Sequence, residues 1–186
     1  MAGDAALKLD SGTAWKCKPF VKWAGGKGQL LPELIRRVPS RINNYFEPFV
    51  GSGALFFELQ PESATLSDIN ADLINAYCVV RDRVEKLISS LAHHRYEKRY
   101  YYKVRAQDRL PLYAQFSPVE RASRLIYLNK TCFNGLYRVN SAGHFNVPFG
   151  RYTNPTICDS ENLKGCSAAL AMANTLRPSA MACAAC

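Results

Sequence analysis

No apolar run in this sequence is long enough to cross a bilayer, which excludes a membrane-spanning helix. Met1 to Lys16 sets charges among its alanines and lacks the unbroken apolar core of a secretory signal, so the chain reads as cytoplasmic. Its seven cysteines are odd in number and follow no regular spacing, which excludes a disulfide scaffold and points to reduced thiols. With 3 histidines and a single Cys-x-x-C, Cys183 to Cys186 at the very end, the ligands for a zinc site are missing. That terminal cysteine pair also fails as a prenylation box, because no polybasic run precedes it. Acidic residues are scarce: 15 stand against 24 Lys and Arg, and the formal net charge of +9 favours a polyanionic partner. What remains is the composition of a soluble globular protein, 186 residues long, with room for one ordinary domain and a small insertion.

Hydrophobic pattern divides the chain. A short apolar and basic stretch from Pro19 meets Gly25-Gly26 and runs into a helical pattern of Leu30, Leu31, Leu34, Ile35 and Val38. Tyr45 and Phe46 end a predicted strand, Pro48 to Gly53 forms a Gly-rich turn, and Ala54 to Leu59 opens a helix. Ala64 to Ser67 reads as a second strand closed by Asp68, after which Asn70 caps a long helix. Its apolar stripe is Leu73, Tyr77, Val80, Val84, Leu87 and Leu91. From Arg95 to Arg109, Lys and Arg interleave with Tyr96, Tyr100, Tyr101 and Tyr102; this is either a solvated helix with an aromatic core face or a phosphate-tracking surface. Ser117-Pro118-Val119-Glu120 predicts a capped helix start and a helix to about Asn129. Leu136 to Val139 and Phe145 to Val147 flank Asn140-Ser141-Ala142-Gly143 as a β-hairpin. From Ser167 onward alanine dominates, aromatics vanish and no periodicity is evident.

The strand-to-helix junction Phe46-Glu47-Pro48-Phe49-Val50-Gly51-Ser52-Gly53 carries the chemistry. Glycines there let backbone approach a nucleoside-bearing ligand, and Asp68 closes the next strand at about the ~20-residue spacing of a ribose-binding carboxylate. The third glycine of the dinucleotide fingerprint is replaced by Phe56, which disfavours NAD. Ala24-Gly25-Gly26-Lys27-Gly28 lacks the spaced first glycine and the Ser or Thr after lysine that a P-loop needs, which disfavours a nucleoside triphosphatase.

Phe20-Val21-Lys22-Trp23-Ala24-Gly25-Gly26-Lys27, Glu47 to Gly53 and Ser67-Asp68-Ile69-Asn70 together resemble three successive motifs of Dam-type DNA adenine N6-methyltransferases. The resemblance continues through Leu128 to Asn140 and Gly143 to Tyr152, and spans roughly Phe20 to Leu163 in the family's order. It implies an α/β chain with a Rossmann-like methyltransferase fold, its sheet incomplete, and an inserted helical plus β-hairpin target-recognition region. By that resemblance the chain divides into a flexible lead (1–17), a cofactor-binding half (18–94), a target-recognition region (95–157) and an aberrant alanine-rich tail (158–186).

The same resemblance implies S-adenosyl-L-methionine as cofactor, contacted by Trp23, Lys27 and Asp68, with Gly51, Gly53 and Glu47 also among the cofactor-binding residues. An indole face can pack a sulfonium or adenine, lysine can meet a carboxylate, and aspartate can accept from ribose hydroxyls. The implied partner is double-stranded DNA read at GATC. Arg138 would take guanine in the major groove, and Leu136 and Pro148 would touch a thymine methyl. Phe133 would wedge where adenine is flipped out, and Asn134 would face the unpaired partner. Lys22 would point toward DNA, and Arg151, Tyr152 and Asn146 would support the hairpin or touch phosphate. Asn140, Asn146 and Gly143 are expected first of all to build the turn.

The family's Asp-Pro-Pro-Tyr segment, which accepts from the adenine amino group and stacks on the extruded base, has no counterpart, since the sequence contains no Pro-Pro dipeptide. The expectation is a monomer without metal or membrane, truncated before its catalytic motif and inactive in methyl transfer. An unpaired sheet edge would make it poorly soluble, and a complementing chain could complete the fold. Two alternatives stay open: a DNA-binding fragment without chemistry, and an unrelated nucleotide-binding oxidoreductase.

Overall fold

Tyr45–Glu47 (β1) and Ala64–Asp68 (β2) run parallel in the computed structural model, which describes residues 15–178, with Tyr45 opposite Ala64 and Glu47 opposite Leu66. A parallel pair needs a crossover, and Ala54–Leu59 (α2) supplies it, entered through Gly53 and left through Gln60, both in left-handed backbone conformation. Along β2 burial alternates, so Ala64, Leu66 and Asp68 face one side. Leu31–Arg37 (α1) precedes β1, with its proline in the first turn where no amide is missed.

Asn70 caps Ala71–Ala92 (α3) as expected: its side-chain oxygen accepts from the Leu73 amide at 2.9 Å. The predicted stripe is inside, with Leu73, Tyr77, Val80, Leu87 and Leu91 buried and Val84 packed against the core. Lys98–Ala106 (α4) buries Tyr101 and Val104. Pro118–Thr131 (α5) begins with a complete capping box, the Ser117 hydroxyl accepting from the Glu120 amide while the Glu120 carboxylate accepts from the Ser117 amide. Every residue of α5 from Ala122 to Asn129 is buried, which makes it the central helix.

The tail departs from expectation. Ser160–Ala171 forms a helix (α6) capped by Asp159, and Ala173–Pro178 (β3) pairs parallel with β2, giving the order β1-β2-β3. Alanine is the best helix former, and a stripe of Leu163, Cys166, Ala169 and Leu170 is enough to bury one face, so loss of large apolar periodicity did not mean loss of structure. The aberrant segment expected from 158 is therefore ordered helix and strand through 178. The lead expected over 1–17 is also tied down at its described end. The Trp15 amide donates to Gln60 at 2.8 Å, and the Lys18 amide donates to Asn162 of α6 at 2.8 Å. Residues 1–14 and the Cys183 to Cys186 pair lie outside the described residues.

One core runs across the boundaries expected at 94 and 157, since buried residues of α3, α5 and α6 form a single cluster with Phe20, Phe56, Phe57 and Leu66. Among the described residues no helix is long and apolar enough to cross a membrane, and no group of three or more His, Cys, Asp or Glu is placed to hold a metal ion.

Candidate functional site

The loop from Pro48 to Gly53 lies at the carboxyl end of β1, and its backbone is held from several sides. The Val50 amide donates to the Ser67 carbonyl at 2.9 Å, and the Gly51 amide donates to Asp68 Oδ2 at 3.0 Å. Asp68 Oδ1 accepts from the Asn70 amide at 3.0 Å, so one buried carboxylate joins the loop to the start of α3. Tyr77 Oη, fully buried on α3, donates to the Gly51 carbonyl at 3.0 Å. Gly53 has φ +69°, and a Cβ there would stand 2.5 Å from that same hydroxyl, so only glycine fits. Burial and the nearby Glu47 carboxylate push the Tyr77 phenol well above its ordinary pKa, so it stays a neutral donor.

Lys27 reaches the loop from the 3-10 turn Lys27–Leu30. Its Nζ pairs with Glu47 Oε1 at 2.8 Å and donates to the Phe49 carbonyl at 3.0 Å. Glu47 Oε2 accepts from Tyr45 Oη at 2.7 Å, so this buried carboxylate has a partner on each oxygen. Trp23 closes the other side: a Cβ at Gly51 would lie 3.1 Å from the indole Cδ1, and the ring stacks on Tyr137 at 4.9 Å between centroids and 24° between planes. Trp23, Lys27 and Asp68 are thus brought together around one loop.

Asn129 joins this loop region to the hairpin, a link the sequence reading did not assign. Its Oδ1 accepts from the Lys22 amide at 2.8 Å, and its Nδ2 donates to the Lys22 and Gly135 carbonyls, both at 2.8 Å. Gly135, at φ +64°, lets the chain pass where a Cβ would stand 2.6 Å from the Lys22 side chain. Just before it, Phe133 is half exposed and Asn134 takes left-handed backbone at φ 55°, a conformation that asparagine tolerates better than most residues.

The expected hairpin is present as an antiparallel pairing of isolated bridges, not two regular strands: Val139 opposes Phe145, and Cys132 opposes Phe149. Asn140 builds the turn, its side-chain oxygen accepting from the Ala142 and His144 amides. Arg138 is exposed; its Nε donates to Asn146 Oδ1 at 2.7 Å, and its terminal nitrogens have no partner among the described residues. Pro148 is exposed and its carbonyl accepts from the Phe133 amide, while Leu136 is half-buried against the core. Tyr152 is a support: its Oη donates to the Cys132 carbonyl at 2.9 Å and its amide donates to Tyr96 Oη at 2.7 Å. Lys22 Nζ lies 5.6 Å from the centre of the Tyr152 ring, and Arg151 is exposed.

The tyrosine-rich helix α4 has one buried and one exposed face. Tyr101 is buried, with its Oη donating to the Val147 carbonyl at 2.8 Å, while Lys98, Arg99 and Lys103 are exposed without an ion-pair partner among the described residues.

The Gly51 loop and the hairpin that carries Arg138 meet where Trp23 stacks on Tyr137. The D12 class N6 adenine-specific DNA methyltransferase family matches residues 23–178. The chain belongs to this family. It is 49% identical over 152 residues to the type II methyltransferase M1.LlaDCHI of Lactococcus lactis subsp. cremoris, covering 81% of this chain and 54% of that protein. It is 46% identical over 168 residues to the type II methyltransferase M.MjaIII of Methanocaldococcus jannaschii, covering 81% and 58%. A DNA adenine methylase of Haemophilus influenzae is 42% identical over 142 residues, covering 74% and 48%. The chain spans about half the length of the curated relatives it matches. The family match runs through β3, so the alanine-rich segment up to residue 178 is family sequence.

Proposed function

We propose that this protein binds S-adenosyl-L-methionine and double-stranded DNA for adenine N6-methylation, with GATC as the sequence read. The observation that carries the reading is the convergence of Trp23, Lys27 and Asp68 on the Gly51 loop, next to the hairpin that presents Arg138. Strand, glycine loop, helix and an acid closing the next strand form the cofactor half of a Rossmann-like methyltransferase fold.

The residues fit the cofactor. Each Asp68 oxygen accepts one protein hydrogen bond, which leaves acceptor capacity for ribose hydroxyls. Lys27 uses two ammonium donors on Glu47 and Phe49 and keeps one for a carboxylate. The neutral Tyr77 phenol and the Asn70 cap hold the loop still, so binding meets a preformed backbone. S-adenosyl-L-methionine supplies an electrophilic methyl group when bound. Glu47 and Gly53 act on the loop's shape, and Trp23 walls it. The transfer step is assigned to no residue here, because the sequence has no Pro-Pro dipeptide.

On the DNA side, Arg138 reads guanine with its free terminal nitrogens, and Asn146 fixes the plane of the guanidinium through Nε. Leu136 and Pro148 supply apolar contact to a thymine methyl, and Phe133 is exposed where an aromatic wedge would enter the stack. Asn134 stands beside Phe133 to meet the unpaired base. Lys22 and Arg151 neutralise phosphate, with the Tyr152 ring beneath Lys22. Replacing Arg138 with Ala is expected to lower discrimination between a GATC duplex and a scrambled one by ~1–3 kcal/mol, with the salt dependence nearly kept. Equal affinity of the wild-type chain for both duplexes, or unchanged discrimination in the variant, would contradict the reading.

A further inference from the structure

Between Arg95 and Arg109 the sequence holds six arginines and lysines against two acids, Glu97 and Asp108. Asp108 is not on the surface with the charges around it. Its side chain is 8% exposed and pairs with Arg124 of α5, itself 7% exposed, at 2.9 Å. Arg124 is fixed in turn, donating through Nε to the Val104 carbonyl at 3.0 Å and through Nη2 to the Arg105 carbonyl at 2.8 Å. The oxygen that meets Arg124, Asp108 Oδ2, also accepts from the Phe145 amide at 2.7 Å. Arg109 closes the arrangement, donating from Nη1 to Asp108 Oδ1 at 3.0 Å and from Nη2 to the Phe145 carbonyl at 3.2 Å.

Both polar groups of Phe145 are therefore held by one carboxylate and the arginine beside it. The next residue is Asn146, whose amide donates to the Arg138 carbonyl at 3.0 Å and whose side-chain oxygen accepts from Arg138 Nε at 2.7 Å. A continuous path leads from the buried helix α5 through Asp108 and the Phe145 backbone to the guanidinium of Arg138. A bridge-only hairpin has little ladder of its own, so its geometry must come from such outside attachments. A buried ion pair is a weak source of net stability, and its best attested use is to fix one arrangement among several.

We propose that Asp108 is a positioning residue for base readout: clamped by Arg124 and Arg109, it sets the hairpin so that Arg138 addresses the base edge. The proposal rests on the reading of Arg138 as a DNA contact. An isolated hairpin would sample many orientations, and discrimination by a bidentate arginine is lost when its plane wanders.

The test uses the full chain with Asp108→Asn, which keeps the size and an acceptor but removes the charge, and Arg109→Ala, which strips only the exposed side of the clamp. Amide exchange over residues 143–147 is expected to quicken about tenfold in Asp108→Asn and about threefold in Arg109→Ala, with α3 unchanged. In binding, the preference for a GATC duplex over a scrambled one should fall about tenfold in Asp108→Asn, while affinity for the scrambled duplex and its salt slope hold. Unchanged exchange at 143–147, or equal quickening in α3, overturns the proposal, because the first removes the clamp and the second reduces it to general folding. Should Asp108→Asn fail to fold, Arg109→Ala decides by the same exchange criterion. A wild-type chain that binds both duplexes equally overturns the base-readout role, and the exchange result alone then decides the clamp.

Discussion

Asn129 shows what a single buried amide can do for a site it never touches. Its three hydrogen bonds go to backbone of Lys22 and Gly135, across 107 positions in the first case, and fix the segment that carries Trp23 against the one that carries Phe133 and Asn134. Replacing it with Ala leaves those backbone groups unmade, and stability measured by denaturant unfolding should fall by ~2–3 kcal/mol. The sequence made some residues of the site legible and hid others. Trp23, Lys27 and Asp68 stand in motifs whose spacing carries their meaning, so their meeting at one loop could be anticipated. Asn129 lay inside a matched block yet had no assigned role, and Asp108 was not singled out. Their partners are distant in sequence, and nothing local marks an Asn or Asp as buried and bonded.

Elements defined by strong local chemistry were read closely: Asn70 caps α3, and Ser117 with Glu120 forms the box that opens α5. Helix α6 was missed because its buried face is built from small residues, Cys166 and Ala169 among them, which leave a faint periodicity. Strand β3 depends wholly on β2 for its pairing, a tertiary effect that no propensity announces. Where α3, α4 and α5 meet, His94 stacks on Tyr127 at 4.3 Å and exchanges hydrogen bonds with Ser123 and Tyr100. Burial, with His93 nearby, pushes its pKa from 6.5 down to about 4. Between those values the unfolded chain binds a proton that the native ring refuses, so stability is full above pH 6.5 and falls as pH drops toward 4. The ring is partly exposed and solvent screens it, which limits the loss to about 1–2 kcal/mol. Urea unfolding from pH 7 to 4 should show that slope, and His94→Gln should flatten it.

At the scale of the molecule, a three-stranded parallel sheet among the described residues and the helices around it bring the Gly51 loop and the hairpin side by side. The ring of Tyr137 belongs to the hairpin arm and stacks on Trp23, so the loop and the hairpin share a wall. Strand β1 has β2 as its neighbour among the described residues; Phe46 and Phe49 are exposed, and Phe46 lines an apolar groove of about 350 Å³ with Leu34, Ile42 and Leu55. Such an edge favours association with further chain. The measurement that bears most directly on the account is calorimetric binding of S-adenosyl-L-methionine to the wild-type chain and to Asp68→Ala. One saturable site in the wild type, weakened about tenfold or more in the variant, is the predicted result. A folded wild-type chain that takes up no S-adenosyl-L-methionine, or a variant that binds it equally well, would contradict the account.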